Sequence, residues 1–284
     1  MKWKIKQRLR KQTLFIFGDS PERLEMAYHL PYHKRDQRIK TGDARMKNTI
    51  RINAEGVKMI AHRGLSGLER ENTAAAFVAA GNRSYYGVET DIHRTKDGRF
   101  IVIHDDDTRR VAGVQMIVEE TDFDTLRALR LKDKDECERG DLMLPTLEEY
   151  IRICKYYDKY CVLELKNHFE EEDIRKIVDV ICEIGWLDHV IFISFDLPNM
   201  ICIRSLLPQQ PAQYLVERFD EEILGILKAY RLDLDIYYRA ATKECVDACH
   251  EAGILVNVWT VDQPQDAERL AAYGVDFITS NILE

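Results

Sequence analysis

From residue 57 onward the chain repeats one pattern: a short apolar run, a turn, then a longer segment with helical spacing. The apolar runs cover residues 57–61, 88–92, 161–166, 190–195, 213–216, 234–237, 254–260 and 276–279. Their lengths suit strands, while segments such as 173–184 and 242–252 carry the spacing of helices. A strand that repeatedly follows a helix must pair in parallel, because each crossover returns the chain to the same end of the sheet. Eight such units predict a (β/α)8 TIM barrel. The rival is an open doubly wound sheet, but no glycine-rich dinucleotide fingerprint supports it.

Two stretches fall outside the repeat. After the second strand, Thr95-Lys96-Asp97-Gly98 is a turn signal, and residues 100–104 are predicted to fold back as an extra strand. Residues 105–144 are too long for a barrel loop and read as an insertion, with a helix over 124–131 and a charged run over 132–141. Residues 1–55 read as a basic N-terminal extension, and 56–284 as the barrel. Within the extension, 21–30 is a predicted helix capped by Ser20 and started by Pro21. Residues 1–51 hold 14 Lys and Arg against 5 Asp and Glu. The whole chain holds 41 against 49, so a +9 arm is joined to a −17 body. Such an arm is a candidate for docking on the barrel or on a second subunit, or for peripheral contact with an anionic membrane. A nucleic-acid partner is not expected.

Other classes are excluded by composition. No apolar run approaches the ~20 residues of a membrane span, and the basic N-terminus lacks the apolar core of a signal peptide. The seven cysteines are odd in number and form no CxxC pair, which fits a reducing cytoplasm. Cys245 and Cys249 could share a helix face, followed by His250, but with no fourth ligand in view the trio reads as packing.

In a barrel of this kind, chemistry gathers at the C-terminal ends of the strands. Those ends carry His62 and Arg63, Glu89 and Asp91, Glu164 and Lys166, Ser194, Trp259 and Ser280, with His104 closing the extra strand. Glu89 and Asp91 are two residues apart, so they share one strand face. Two parallel buried carboxylates repel unless a cation lies between them, and a hard divalent metal is the natural one. Histidines at two strand ends suggest proton transfer near neutral pH. Trp259 is a candidate apolar wall for a substrate.

The ordered segments HRGLSGLERENT, VETDIHRTKDGRFIVIHD, PTLEE, LELK and VWTVD resemble the glycerophosphodiester phosphodiesterase family, roughly over residues 57–281. The resemblance implies a (β/α)8 barrel with an insertion after the second strand. It implies a divalent ion, Mg²⁺ or Ca²⁺, held at Glu89, Asp91 and Glu164. It further implies His62 and His104 as acid and base, with Arg63 and Lys166 on phosphate. The expected reaction is hydrolysis of a small glycerophosphodiester to glycerol 3-phosphate and an alcohol. The alternatives are a lysophospholipase D-like activity and a non-enzymatic regulatory barrel that keeps a phosphate site. Two positions depart from the family pattern: Arg70 stands where proline usually precedes Glu-Asn-Thr, and Thr279-Ser280-Asn281 stands where the last strand usually ends Thr-Asp.

Overall fold

The computed structural model describes residues 48–54, 56–137 and 139–284. The helix expected at 21–30 and most of the basic extension lie outside these residues. Among the described residues the strands are β1 (Lys58–Ala61), β2 (Gly87–Arg94), β3 (Phe100–Val102), β4 (Tyr160–Leu165), β5 (Val190–Ser194), β6 (Ala212–Val216), β7 (Asp233–Tyr237), β8 (Val256–Trp259) and β9 (Phe277–Ser280). They run in the order β1-β9-β8-β7-β6-β5-β4-β2, and β1 pairs with β2 to close a parallel eight-stranded barrel. β3 lies outside the ring, antiparallel to β2, as the Asp-Gly turn predicts.

Helices α1 (Ala74–Gly81), α2 (Arg109–Ala112), α3 (Phe123–Arg127), α4 (Leu147–Tyr156), α5 (Glu171–Ile184), α6 (Leu197–Leu206), α7 (Glu221–Tyr230), α8 (Lys243–Glu251) and α9 (Pro264–Tyr273) complete the chain order. Local signals start several of them. Thr73 accepts from the Ala76 amide ahead of α1. Thr146 and Glu149 form a reciprocal capping box on α4. Asp196 and Thr242 cap α6 and α8 by accepting from the Asn199 and Cys245 amides. Helices cover the outward-facing strand residues in one large apolar cluster that includes Phe77, Tyr150, Leu163, Phe192, Leu234 and Val256. The barrel interior holds a second apolar set, among them Ile60, Val162, Ile191 and Phe277. Cys245 and Cys249 are buried in the outer cluster, and His250 pairs with Asp276 at 2.9 Å. The packing reading therefore holds for the two cysteines, while His250 is exposed.

The insertion carries its own small core: Ile101, Ile103, Val111, Val118, Phe123, Leu126, Leu131, Leu142 and Leu144. Burying each such side chain is worth about 1.5–3 kcal/mol. α3 is shorter than the predicted 124–131 because the chain turns toward this core. The Leu131 amide donates to the Leu142 carbonyl at 3.0 Å, which ends the helical course. The charged run is not simply solvated. Arg139 pairs with Glu69 at 2.8 Å and Asp133 at 3.1 Å. Arg70, in the place of the usual proline, donates to the carbonyls of Lys132 and Asp133. It thereby ties the loop after β1 to the insertion.

Residues 48–54, grouped with the extension by composition, run beside the C-terminus. Ile50 and Leu283 form a parallel bridge, and the Ile52 amide donates to the Glu284 carbonyl at 3.0 Å. Among the described residues no helix is long and apolar enough to cross a membrane.

Removing the Arg70 clamp should free the insertion while leaving the barrel folded. Hydrogen bonds from a charged donor are worth about 1.5–3 kcal/mol. Arg70→Ala should lower Tm by several degrees and speed proteolytic cleavage within 132–141. Cleavage at the wild-type rate would show that these bonds do not hold the insertion.

Candidate active site

The parallel pairing of β2 with β4 aligns Asp91 with Glu164. Glu89 lies two residues before Asp91 on the same face, so three carboxyl groups converge. One oxygen from each of Glu89, Asp91 and Glu164 lies within 4.8 Å of the others, and all three residues are buried. Burial and the neighbouring Asp91 push Glu89 well above the usual carboxylate range. Burial and Asp91 likewise push Glu164 up to about 8. Burial also opposes ionisation of Asp91, but Arg63 and Lys166 outweigh it and hold that carboxyl low. The resident cations thus sustain one negative charge well and three poorly.

Those cations are close. Arg63 Nε is 3.6 Å from Asp91 Oδ2, and its Nη1 donates to Glu71 at 2.9 Å. Lys166 Nζ is 2.9 Å from Glu164 Oε1 and 3.6 Å from Asp91 Oδ1. Asp91 Oδ1 is buried and has no hydrogen-bond partner among the described residues. An unsatisfied carboxylate oxygen beside two further carboxyl groups is a donor set suited to a hard metal ion.

The turn after β1 is shaped around this trio. Arg63 is left-handed at φ 53°, which lets its amide donate to Glu89 Oε2 at 2.6 Å. Gly64 follows at φ 75°, and a Cβ there would lie 2.7 Å from the Ala76 backbone. Asn72, also left-handed at φ 52°, donates to Asp91 Oδ2 at 2.7 Å and accepts from Thr90 Oγ1 at 2.7 Å. By sequence position Asn72 only precedes Thr73, the cap of α1. Its role in orienting Asp91 is set by a contact 19 residues away in the chain.

Both expected histidines reach the site with one ring nitrogen already engaged. His62 Nδ1 lies 2.8 Å from Asn281 Oδ1, and the Asn281 amide is oriented by its 2.6 Å bond to Asp262. His62 Nε2 is left 4.0 Å from Glu89. Burial, then the Arg63 charge, push His62 down to about 4, so its ring is neutral near pH 7. His104 Nδ1 lies 2.7 Å from Asp105 Oδ1. Burial also lowers His104. The departure at Asn281 therefore puts a neutral amide against His62, while Asp262 supplies the nearby carboxylate.

His62, Arg63, Glu89, His104, Glu164, Lys166 and Trp259 line one cavity of about 100 Å³, and Asp91 is enclosed beside them. The opposite wall is largely apolar, with Ile193, Phe195, Leu215 and Trp259. Ser194 and Ser280, two of the strand-end residues, do not face the cavity. Ser194 donates to the Leu165 carbonyl at 2.6 Å and Ser280 to Asp262 at 3.0 Å. Strand alternation explains this, since Ile193, Phe195 and Thr279 take the inward positions. Two further residues of consequence escaped the sequence reading. Asp235 is a buried acid in the cavity wall. Glu71 bonds Arg63 from one side and Arg110 at 2.7 and 2.8 Å from the other. Glu71 sits in the ERENT segment, but its partner Arg110 lies on the insertion.

The model of the glycerophosphoryl diester phosphodiesterase family matches residues 62–283. A glycerophosphodiester phosphodiesterase of Caldanaerobacter subterraneus subsp. tengcongensis is 27% identical over 235 residues, covering 78% of this chain and 93% of the relative. A Bacillus altitudinis glycerophosphodiester phosphodiesterase is 27% identical over 230 residues, with coverage of 78% and 93%. Among solved structures, an Oleispira antarctica phosphodiesterase in complex with the product sn-glycerol-3-phosphate has a TM-score of 0.72 at 26% identity, covering 79% and 93%. A barrel closed around one polar mouth, matched along nearly all its length, defines a phosphodiester hydrolase. The chain belongs to the glycerophosphoryl diester phosphodiesterase family.

The Glu71 contacts make a prediction about acid stability. Burial opposes its ionisation, but bonds from Arg110 and the charge of Arg63 bring it from an ordinary 4.5 down to about 2. A carboxyl lowered by folding stabilises the fold above its unfolded pKa and loses that contribution as pH falls through the folded one. The Tm difference between wild type and Glu71→Gln should be full above pH 4.5 and shrink toward pH 2. A difference independent of pH would mean that the ion pairs contribute nothing.

Proposed function

We propose that this enzyme hydrolyses glycerophosphodiesters to glycerol 3-phosphate and an alcohol. The observation that carries this reading is the buried Glu89, Asp91 and Glu164 trio in direct contact with Arg63 and Lys166 at one small cavity. The trio would hold a divalent ion, Mg²⁺ or Ca²⁺, and when bound this ion supplies positive charge to phosphate oxygens. Arg63 can fork onto two phosphate oxygens, and Lys166 adds a point charge beside them. Both side chains are pinned by carboxylates, so they meet substrate already oriented.

His62 takes the proton from the attacking group. Support comes from its neutral ring and its Nδ1 engaged at Asn281, which leaves Nε2 free to accept. His104 gives a proton to the leaving alcohol, and Asp105 at Nδ1 favours the charged ring this requires. If the glycerol 2-hydroxyl attacks phosphorus, the P–O bond to the alcohol breaks and a cyclic phosphate forms. Water then opens the ring to the monoester. Trp259 serves as an apolar wall for the glycerol carbons. The exposed Phe195 ring packs edge-on against Trp259 at 5.5 Å and favours a second reading, in which a lysolipid lays its acyl chain on this ridge.

Turnover of glycerophosphocholine and of lysophosphatidylcholine, each with and without chelator, tests both readings. Chelation should abolish activity and added divalent ion should restore it. His104→Ala should lower kcat by about 10²–10⁴-fold without a fall in Tm, and Trp259→Ala should raise KM. Full activity in chelator, or normal kcat in the histidine variant, sinks the mechanism. Faster turnover of the lysolipid moves the assignment to the second reading.

A further inference from the structure

One polar group on the apolar side of the cavity has no task in this mechanism. Asp235 occupies the middle of β7 and is 1% exposed. Its chain neighbours Leu234 and Ile236 pack outward against the helices, so alternation aims Asp235 into the barrel. There it joins the cavity wall beside Leu215 and Trp259. Its Oδ1 has no hydrogen-bond partner among the described residues. Asn257, its neighbour in register, is close enough to bond this carboxyl but leaves Oδ1 without a partner. Asn257 donates to Gln213 at 3.1 Å and accepts from Thr279 at 3.2 Å. A buried acceptor left unsatisfied is destabilising, and an apolar residue would fill this wall without that cost. The missing partner is therefore sought in what enters the cavity.

The ring order indicates what that partner is. β7 lies four strands from β2 in the eight-stranded ring, across the mouth from Glu89 and Asp91. A phosphate held by the cations of β1 and β4 leaves its glycerol arm to cross toward β7. This step rests on the glycerophosphodiester reading above. We propose that Asp235 is a specificity-determining residue that accepts a hydrogen bond from the terminal hydroxyl of the glycerol moiety. The secondary hydroxyl remains free to attack. The enzyme then selects three-carbon arms bearing both hydroxyls, and a diester whose terminal carbon is a methyl group leaves Asp235 unpaired.

The test compares glycerophosphocholine with the phosphocholine diester of propane-1,2-diol, which keeps the secondary hydroxyl and lacks the terminal one. Wild type should favour the glycerol substrate in kcat/KM by about 10²-fold or more, because a site built to bond a hydroxyl rejects the analogue without it. In Asp235→Leu that ratio should fall toward one, whereas Asp235→Asn, which keeps an acceptor oxygen, should retain most of it. Calorimetric binding of glycerol 3-phosphate against its terminal deoxy analogue to wild-type enzyme gives the same discrimination without any variant. Equal binding of the two, or an unchanged ratio in folded Asp235→Leu, overturns the assignment and leaves the phosphodiesterase reading standing. Wild-type enzyme that turns over neither diester overturns both.

Discussion

Three carboxyl groups within 4.8 Å of one another, all buried, are the constraint around which this barrel mouth is built. Two unit charges 4 Å apart repel by about 4 kcal/mol at an effective dielectric constant of 20, and burial removes the water that would screen them. The fold answers with oriented cations and donors. Arg63 and Lys166 flank Asp91, the Arg63 amide bonds Glu89, and Asn72 bonds Asp91 from the far side. Two of these residues sit in left-handed backbone, a conformation that costs a non-glycine residue about 1–3 kcal/mol. Strain of this size is accepted where it places a donor that nothing else could place. Even so, Glu89 and Glu164 remain raised, so the resident groups leave the site short of positive charge.

The surrounding architecture divides the labour. β1, β2 and β4 present charge, while β5 to β8 present Ile193, Leu215, Trp259 and the single acid Asp235. The insertion has its own core and reaches the site from outside the ring. His104 and Asp105 lie at its start, and Arg110 on α2 bridges Asp105 to Glu71 at 2.7 Å on each side. Through Glu71 this chain of ion pairs continues to Arg63. Arg63 and His104 are thus braced by one network, which Arg70 anchors to the insertion backbone.

Much of this was legible in the sequence because it is local. Two-residue spacing placed Glu89 with Asp91 and Glu164 with Lys166, and the turn at Asp97-Gly98 returned the chain to put His104 beside β2. The resemblance then gathered distant segments into one set. What escaped depended on contacts between strands or loops far apart in the chain. Asn72 escaped because its approach to Asp91 requires a left-handed turn that no propensity announces. Asp235 escaped because the sequence marks 234–237 only as a strand, and the alternating acids in LDLDIYY do not say which face turns inward. Ser194 and Ser280 were grouped with the mouth by position alone, although strict alternation with Phe195 and Thr279 turns them outward. The extension's charge suggested partners, but its structural calls fall largely outside the described residues.

The central claim is that the carboxyl trio is completed by one divalent cation, and calorimetric titration of Mg²⁺ and Ca²⁺ into the metal-stripped protein tests it most directly. The account predicts one bound ion per chain, a rise in Tm on binding, and loss of both effects in Asp91→Ala with the variant still folded. An absence of saturable binding, or binding that survives Asp91→Ala unchanged, would contradict it.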